Sequence, residues 1–177
     1  MYRYILQQGG ISMENSNLKV LIRYSVLIAL TTVMTMVIQI PTVGTNGYLN
    51  LGDMVVFIAA LTMGKKAGLI VGGVGSAMAD LLLGYTHYAP ITLIVKGLEG
   101  YIAGRILETS IGEKRPIIAT ATGGIFMALG YFIPEIFMYG KGAIASIPGN
   151  IAQGLFGAIT AVVLYKALKK TQSLKQK

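Results

Sequence analysis

The chain has no cysteine, a single histidine and few charges. Without cysteine there are no disulfides, thiolate metal sites, iron–sulfur clusters or cysteine nucleophiles. His87 alone cannot build a multi-histidine metal site, and no Asp-rich metal motif is present, so neither a metal nor a cofactor is expected. Charged residues make up only 12% of the 177 positions, where a soluble domain carries about a quarter. The opening MYRYILQQGGIS does not read as a signal peptide: its apolar part is too short and no small-residue cleavage site follows. Residues 1–12 are expected to be an upstream start or disordered tail ahead of Met13, or else a short helix lying on the membrane surface.

What is abundant is apolar side chain: 54% of the residues are hydrophobic and the mean hydropathy is +0.65. A bilayer is the solvent that suits such a chain. The net charge of +8 does not point to nucleic acid, because the lysines and arginines sit at segment ends rather than in a patch.

Six apolar segments approach the length needed to cross the hydrocarbon, about 20 residues each. They are residues 18–40, 51–63, 67–83, 90–107, 116–139 and 148–168. Pro90, Pro116 and Pro148 fall at helix starts, where a missing N–H costs nothing. The expected fold is an all-α membrane bundle of six transmembrane helices. Residues 1–17 form an N-terminal tail, 18–168 the substrate-binding membrane domain and 169–177 a basic cytoplasmic tail. With six crossings, Arg3, Lys19, Arg23, Lys65, Lys66, Arg105, Lys114, Arg115 and the five lysines from Lys166 to Lys177 all share one side. The other side has only Lys141. The positive-inside rule makes the first side cytoplasmic, with both termini inside.

Polar residues in the segments cluster by depth. Lys96 and Glu99 interrupt the run TLIVKGLEGYIAG, roughly 9 and 13 Å below the outer end of their helix, and three residues apart they share a face. Asp80, Tyr131, Glu135, Tyr139, Asn150 and Gln153 also fall in the outer half. The outer linkers carry Thr45, Asn46 and Tyr48, then Tyr85, His87 and Tyr88. The inner half is almost purely apolar. That describes a cup open to the outside, not a pore, which needs polar lining through its full depth.

Plainer roles compete for each group. Lys96 and Glu99 could be a structural ion pair, since intramembrane charge is usually paired or functional. Asp53 follows Asn50 by three residues, a helix-capping arrangement, and capping is its favoured reading. Asp80 could cap a linker, hold Lys96 or touch a ligand. Glu135 follows Pro134, which cannot donate to the Gly130 carbonyl, leaving an acceptor beside a carboxylate. Asn150 and Gln153 could simply bond between helices. His87 reads as an ordinary loop residue. The run GGVGSAMAD lacks the ending of a phosphate-binding loop. Its glycines belong instead to a repeat, Gly64, Gly68, Gly72 and Ser76, that suits close helix packing, as do Gly100 and Gly104.

The ordered segments GYLNLGD (47–53), GGVGSAMADLLLGYTHYAPITLIVKGLEGYIAG (72–104), GYFIPEIFMYG (130–140) and IPGNIAQ (147–153) carry a family likeness. They resemble the substrate-binding S components of energy-coupling factor (ECF) vitamin transporters, most closely the riboflavin-type and hydroxymethylpyrimidine-type group. The likeness covers residues 18–168. It implies a six-helix bundle without ATPase activity, in a prokaryotic plasma membrane, that binds one vitamin or precursor near its outer face. The partners it implies are a membrane coupling subunit and two cytoplasmic ATPases. The linker after the first segment would act as a lid. Matched onto this chain, the contacts implied are Asn46, Tyr48, Lys96, Glu99, Tyr131, Glu135, Asn150 and Gln153; Asp80, Tyr85 and Tyr88 join them from the residue reading. The coupling subunit would dock on small residues of the first segment, in the register Ser25, Ala29 and Val33, of which Val33 departs from the family's small-residue pattern. Metal-transporting relatives use an N-terminal histidine site that is missing here, so nickel or cobalt is not expected.

The function expected is capture of a vitamin or vitamin precursor for inward delivery, not catalysis. Tyrosines near the mouth would stack on the ligand ring. A site with both signs of charge suits a neutral or zwitterionic heterocycle, such as a hydroxymethylpyrimidine or a pyridoxine-like ring, with riboflavin as the alternative. The rivals are a self-contained channel or transporter, whose pathway would need polar groups in the inner half, a small intramembrane enzyme, and a structural membrane subunit.

Overall fold

The computed structural model describes the backbone of residues 2–175 and the side-chain surroundings of residues 17–171. Its helices are α1 (Tyr2–Val37), α2 (Gly52–Met63), α3 (Lys65–Leu83), α4 (Ala89–Leu107), α5 (Ser110–Lys114), α6 (Pro116–Tyr139) and α7 (Ile147–Lys175). Strands β1 (Ile40–Pro41) and β2 (Tyr48–Leu49) pair antiparallel as a small hairpin, and a 3₁₀ turn, Gly140–Ser146, joins α6 to α7. The tails expected at 1–17 and 169–177 fall largely outside the described side chains.

The protein is an all-α membrane protein. Three stretches among the described residues are long and apolar enough to cross a bilayer: Asn17–Val37, Lys65–Leu83 and Pro116–Thr171, the last containing both α6 and α7. Two expected spans fall short of that standard for physical reasons. The 12-residue α2 is too short, and α4 carries Lys96, Glu99 and Arg105 within 19 residues. Large apolar side chains such as Val26, Leu82, Ile94, Ile133 and Val163 face outward along the bundle, a surface that only lipid or a partner would solvate.

The helix boundaries follow local chemistry. Pro90 and Pro148 are second in α4 and α7, and Pro116 is first in α6, where no intrahelical donor is needed. Helix α1 stops at Val37, short of Pro41, and the chain turns into β1. In α5 the Thr109 hydroxyl accepts from the Gly112 N–H at 3.2 Å, an N-cap.

Helix α2 is buried nearly all round, with Val55, Val56, Phe57, Ala59, Ala60 and Leu61 sealed, because it lies against α1, α3, α4 and α7. The α3–α4 seam is the most extensive helix contact. It depends on glycine: a Cβ on Gly68 would strike the Gly100 backbone, and one on Gly72 the Lys96 carbonyl. The small-residue repeat therefore works as expected at Gly68 and Gly72. Gly64 does not belong to it. It sits at the α2–α3 junction with φ +86° and open space beside it, so that position needs left-handed backbone rather than close packing.

Candidate functional site

At the hairpin end of the bundle, polar side chains from α1, α3, α4, α6 and α7 converge on one narrow cavity of about 30 Å³, room for about two waters. Its base is an ion cluster. Lys96 of α4 pairs with Asp53 of α2, and the Glu99 carboxylate lies 3.2 Å from the same ammonium. Neither Glu99 oxygen has an aligned hydrogen-bond partner, so that approach is a charge contact. Gln153 of α7 donates to both Asp53 oxygens at 3.1 Å and accepts the Asn50 N–H at 2.7 Å. Lys96, Asp53 and Glu99 are 2, 1 and 0% exposed, so one cation faces two carboxylates away from water.

Asp53 therefore requires a correction. The capping arrangement is present in the sequence, but the cap bond is made by Asn50, whose Oδ1 accepts the Gly52 N–H at 2.9 Å. The Asp53 carboxylate turns into the bundle instead, because the buried ammonium of Lys96 is the stronger partner.

The walls are aromatic and hydroxylic. The Tyr131 hydroxyl donates to Thr92 Oγ1 at 2.9 Å, and the Tyr131 ring lies 5.9 Å from the Lys96 ammonium, within cation–π range. The Tyr88 hydroxyl donates to Glu135 Oε1 at 3.0 Å, and Ser146 donates to the other Glu135 oxygen. Tyr88 also stacks on Tyr139 with centroids 6.4 Å apart. Burial, reinforced by Tyr139 and Glu135, pushes the Tyr88 phenol well above its usual value.

The hairpin forms the roof. The Tyr48 hydroxyl donates to Asp80 Oδ1 at 2.7 Å, and the Tyr48 ring packs on Tyr85 at 4.7 Å. Burial first, then the Asp80 charge, pushes the Tyr48 phenol up, so it remains a donor. Within the hairpin Thr42 and Thr45 share a 2.6 Å hydroxyl bond, and the Thr42 N–H donates to the Gly47 carbonyl. Its tip rests on the 3₁₀ turn: Gly44 has φ +81°, and a Cβ there would stand 2.6 Å from the Gly142 carbonyl oxygen.

Of the residues singled out from sequence, Tyr48, Asp80, Tyr88, Lys96, Tyr131, Glu135, Asn150 and Gln153 line the cavity together. Glu99 lies behind Lys96 in the ion cluster, and Tyr85 backs Tyr48. Asn46 does not join them; it is exposed on the hairpin. Asp80 does not hold Lys96 within ion-pair distance, because Asp53 and Glu99 do. The lining residues that sequence reasoning missed include Thr35, Thr42, Asn50, Ser76 and Thr92. Hydroxyls in apolar helices give no distinctive sequence signal, since most bond their own backbone, as Thr31, Thr62 and Thr160 do to carbonyls one turn back. Among the described residues, no group of His, Asp and Glu is placed to hold a metal.

Comparison with known proteins agrees with this architecture. The family described as "ECF-type riboflavin transporter, S component" matches residues 15–170. An "Uncharacterized protein in gap 3'region" of Pyrococcus woesei is 40% identical over 140 residues, 78% of this chain and 94% of the relative. The "Thiamine precursor transporter HmpT" of Lactococcus lactis subsp. cremoris (strain MG1363) is 32% identical over 161 residues, 90% of this chain and 93% of the relative.

Proposed function

The chain belongs to the ECF-type riboflavin transporter S component family, and we propose that it captures a nitrogen heterocycle, a vitamin or vitamin precursor, in the cavity beneath the hairpin. The family is one of transporter subunits, not of enzymes, and vitamin uptake is its function. The finer reading is that the hairpin end faces outside, both termini face the cytoplasm and the chain crosses six times. That assignment puts the lysine- and arginine-rich end inside. The protein is then a subunit of a prokaryotic plasma-membrane importer. It hands its ligand to a coupling subunit, docked along Ser25, Ala29 and Val33, and to two cytoplasmic ATPases. Those three α1 residues are exposed on the bundle, as a docking face requires.

One observation carries the reading: among the described residues, the buried charged side chains and most of the buried polar ones gather toward the hairpin end of the bundle, around one polar-lined cavity, with Thr120 lying apart near the start of α6. Tyr48, Tyr88 and Tyr131 supply flat apolar faces with hydroxyl tips, the arrangement that holds a polar ring. A ring needs more room than the present cavity. The hairpin, held by the Tyr48–Asp80 bond and the Gly44–Gly142 contact, is the part that must lift to admit it. A pyrimidine or pyridine precursor fits the mixed charges better than an anionic vitamin, and the named relative's thiamine-precursor transport favours the pyrimidine. Riboflavin is the alternative.

The test is mass spectrometry of small molecules released from gently purified protein, followed by calorimetric titration with pyrimidine, pyridine and flavin vitamins. A released or titrated heterocycle is the expected result. A protein that releases none and binds none of the panel would overturn the proposal.

A further inference from the structure

Gln153 stands between the hairpin and the ion cluster, and both ends of its amide are engaged. Oε1 accepts the Asn50 N–H at 2.7 Å, on the hairpin side, and Nε2 donates to both Asp53 oxygens at 3.1 Å. Reversing the amide would set its NH₂ against the Asn50 N–H and its oxygen against a carboxylate, so the partners fix its orientation. Asn50 follows β2 directly, and its own side chain caps α2. Asp53 holds the Lys96 ammonium, and Lys96 lines the cavity. A chain of bonded groups therefore runs from the stem of the hairpin to the charge at the cavity wall. Among the described residues, the Asp53 carboxylate bonds Lys96 and Gln153 and no part of the hairpin.

The backbone on either side keeps this chain in register. Gly149, Gln153 and Gly157 are four residues apart along α7 and share a face. A Cβ on Gly149 would stand 3.2 Å from the Leu49 side chain, and one on Gly157 2.6 Å from the Asp53 Cβ. Helix α7 thus lies close against the end of β2 and the first turn of α2, with Gln153 between the two contacts. The outer flank of the stem is loose by contrast. Asn50 and Gln153 also border an apolar groove of about 250 Å³, bounded by Ile38, Ile40, Leu51 and Phe156, so the stem has space to swing. Asn50 and Leu51 join β2 to α2, the kind of element-terminal position that serves as a hinge.

Taking the hairpin as the part that lifts, as proposed above, we infer that Gln153 is a positioning residue that ties the hairpin to the ion cluster, so that one amide both fastens the stem and aims the Lys96 ammonium. Lifting the stem withdraws the Asn50 N–H from Gln153 Oε1. The amide then loses the partner that fixes it, and Asp53 and Lys96 lose their fixed setting with it. Closure restores both together. The position calls for an amide, because it needs an acceptor toward the hairpin and a donor toward the cluster on one planar group.

The experiment is electron paramagnetic resonance of the purified full chain with a nitroxide on Val43→Cys. Val43 is 78% exposed on the hairpin, and the chain has no other cysteine. Gln153→Met removes both bonds; Gln153→Glu keeps the acceptor for Asn50 but sets a carboxylate against Asp53. Either should raise the ratio of mobile to immobile label by about tenfold, the effect of losing one such hydrogen bond. Adding Asp53→Asn to Gln153→Glu again sets a donor against an acceptor, at the wild-type net charge, and should restore the wild-type spectrum. Added to Gln153→Met, Asp53→Asn should change the label no further, since its route to the hairpin is gone. A merely structural role for Gln153 would lower the melting temperature without that rescue at the hairpin. An unchanged label in Gln153→Met, or a paired Gln153→Glu and Asp53→Asn variant as mobile as Gln153→Glu alone, would overturn the inference. Gln153→Met carries the test if Gln153→Glu does not fold. The label reports without ligand, so absence of binding across the vitamin panel removes the capture reading and leaves this link standing, whereas an unmoved label removes the link alone.

Discussion

Lys96 is the residue on which the buried chemistry turns. Among the described residues it is the one buried lysine, and it neutralises Asp53 while touching Glu99. Removing one member of a buried ion cluster leaves its partners charged and unsolvated, at about 3–5 kcal/mol. Lys96→Met should therefore melt far below wild type in detergent. Adding Asp53→Asn and Glu99→Gln should recover most of the loss, because a neutral cluster has little left to compensate. A single variant as stable as wild type would show that the cluster does not hold α2 to α4. Tyr48 and Tyr88 give a second, pH-dependent prediction. Both phenols are raised above the ordinary value of about 10. In the unfolded chain they ionise near pH 10, while in the fold they stay protonated. Their contribution is therefore complete below pH 10 and is lost as pH rises beyond it. Thermal melts should be flat on this account up to about pH 9 and fall above about pH 10, and Tyr48→Phe should reduce the alkaline slope.

Two elements decide whether the cavity exists. The α3–α4 seam brings Ser76 and Asp80 opposite Thr92 and Lys96 only because Gly68 and Gly100 let the backbones meet. Gly68→Val forces that seam apart and should lower stability by about 1–3 kcal/mol, with ligand affinity falling in parallel. The hairpin behaves differently: its tip rests on the 3₁₀ turn and β2 touches α7 through Leu49, but no helix–helix seam runs through it. Gly44→Val meets both a positive φ and the Gly142 carbonyl. It should leave the bundle's melting temperature nearly unchanged while accelerating ligand dissociation severalfold, measured by rapid dilution. An unaltered dissociation rate would exclude the hairpin as the closing element.

For the whole molecule, the question is which end faces which compartment. The chain contains no cysteine, so single introduced cysteines report topology without background. With the hairpin end outside, Lys141→Cys in the 3₁₀ turn should react with a membrane-impermeant maleimide in intact cells, and Lys66→Cys at the start of α3 only after lysis. The reverse pattern would invert the proposed orientation. The exposed α1 face makes a separate prediction: Ser25→Trp should leave purified-protein binding unchanged but abolish uptake in cells that supply the ATPase module.

The membrane setting, the limits of α2, α3, α4 and α6 and the lysine asymmetry were legible in sequence because they depend on local quantities: apolar run length, proline position and charge between segments; α1 and α7 run beyond their apolar segments, to Tyr2 and Lys175. The prolines opening α4, α6 and α7 and the packing glycines Gly68 and Gly72 could be read that way. Asp80, Lys96, Tyr131, Glu135 and Gln153 stood out for the same reason, as polar side chains where apolar ones belong. The partners were not legible. Whether Asp53 caps α2 or pairs with Lys96 depends on the face α2 turns toward α4, and that is fixed by packing between residues 43 positions apart. Nor could sequence separate Thr35, left unpartnered at the cavity, from Thr31, which bonds its own helix, or Thr32, whose shorter bond crosses to the Gly75 carbonyl of α3. Composition and spacing thus determined what kind of molecule this is. Only the tertiary structure decided which polar groups satisfy one another and which remain for a ligand, because hydrogen-bond and charge pairing is short-ranged in space and indifferent to distance along the chain.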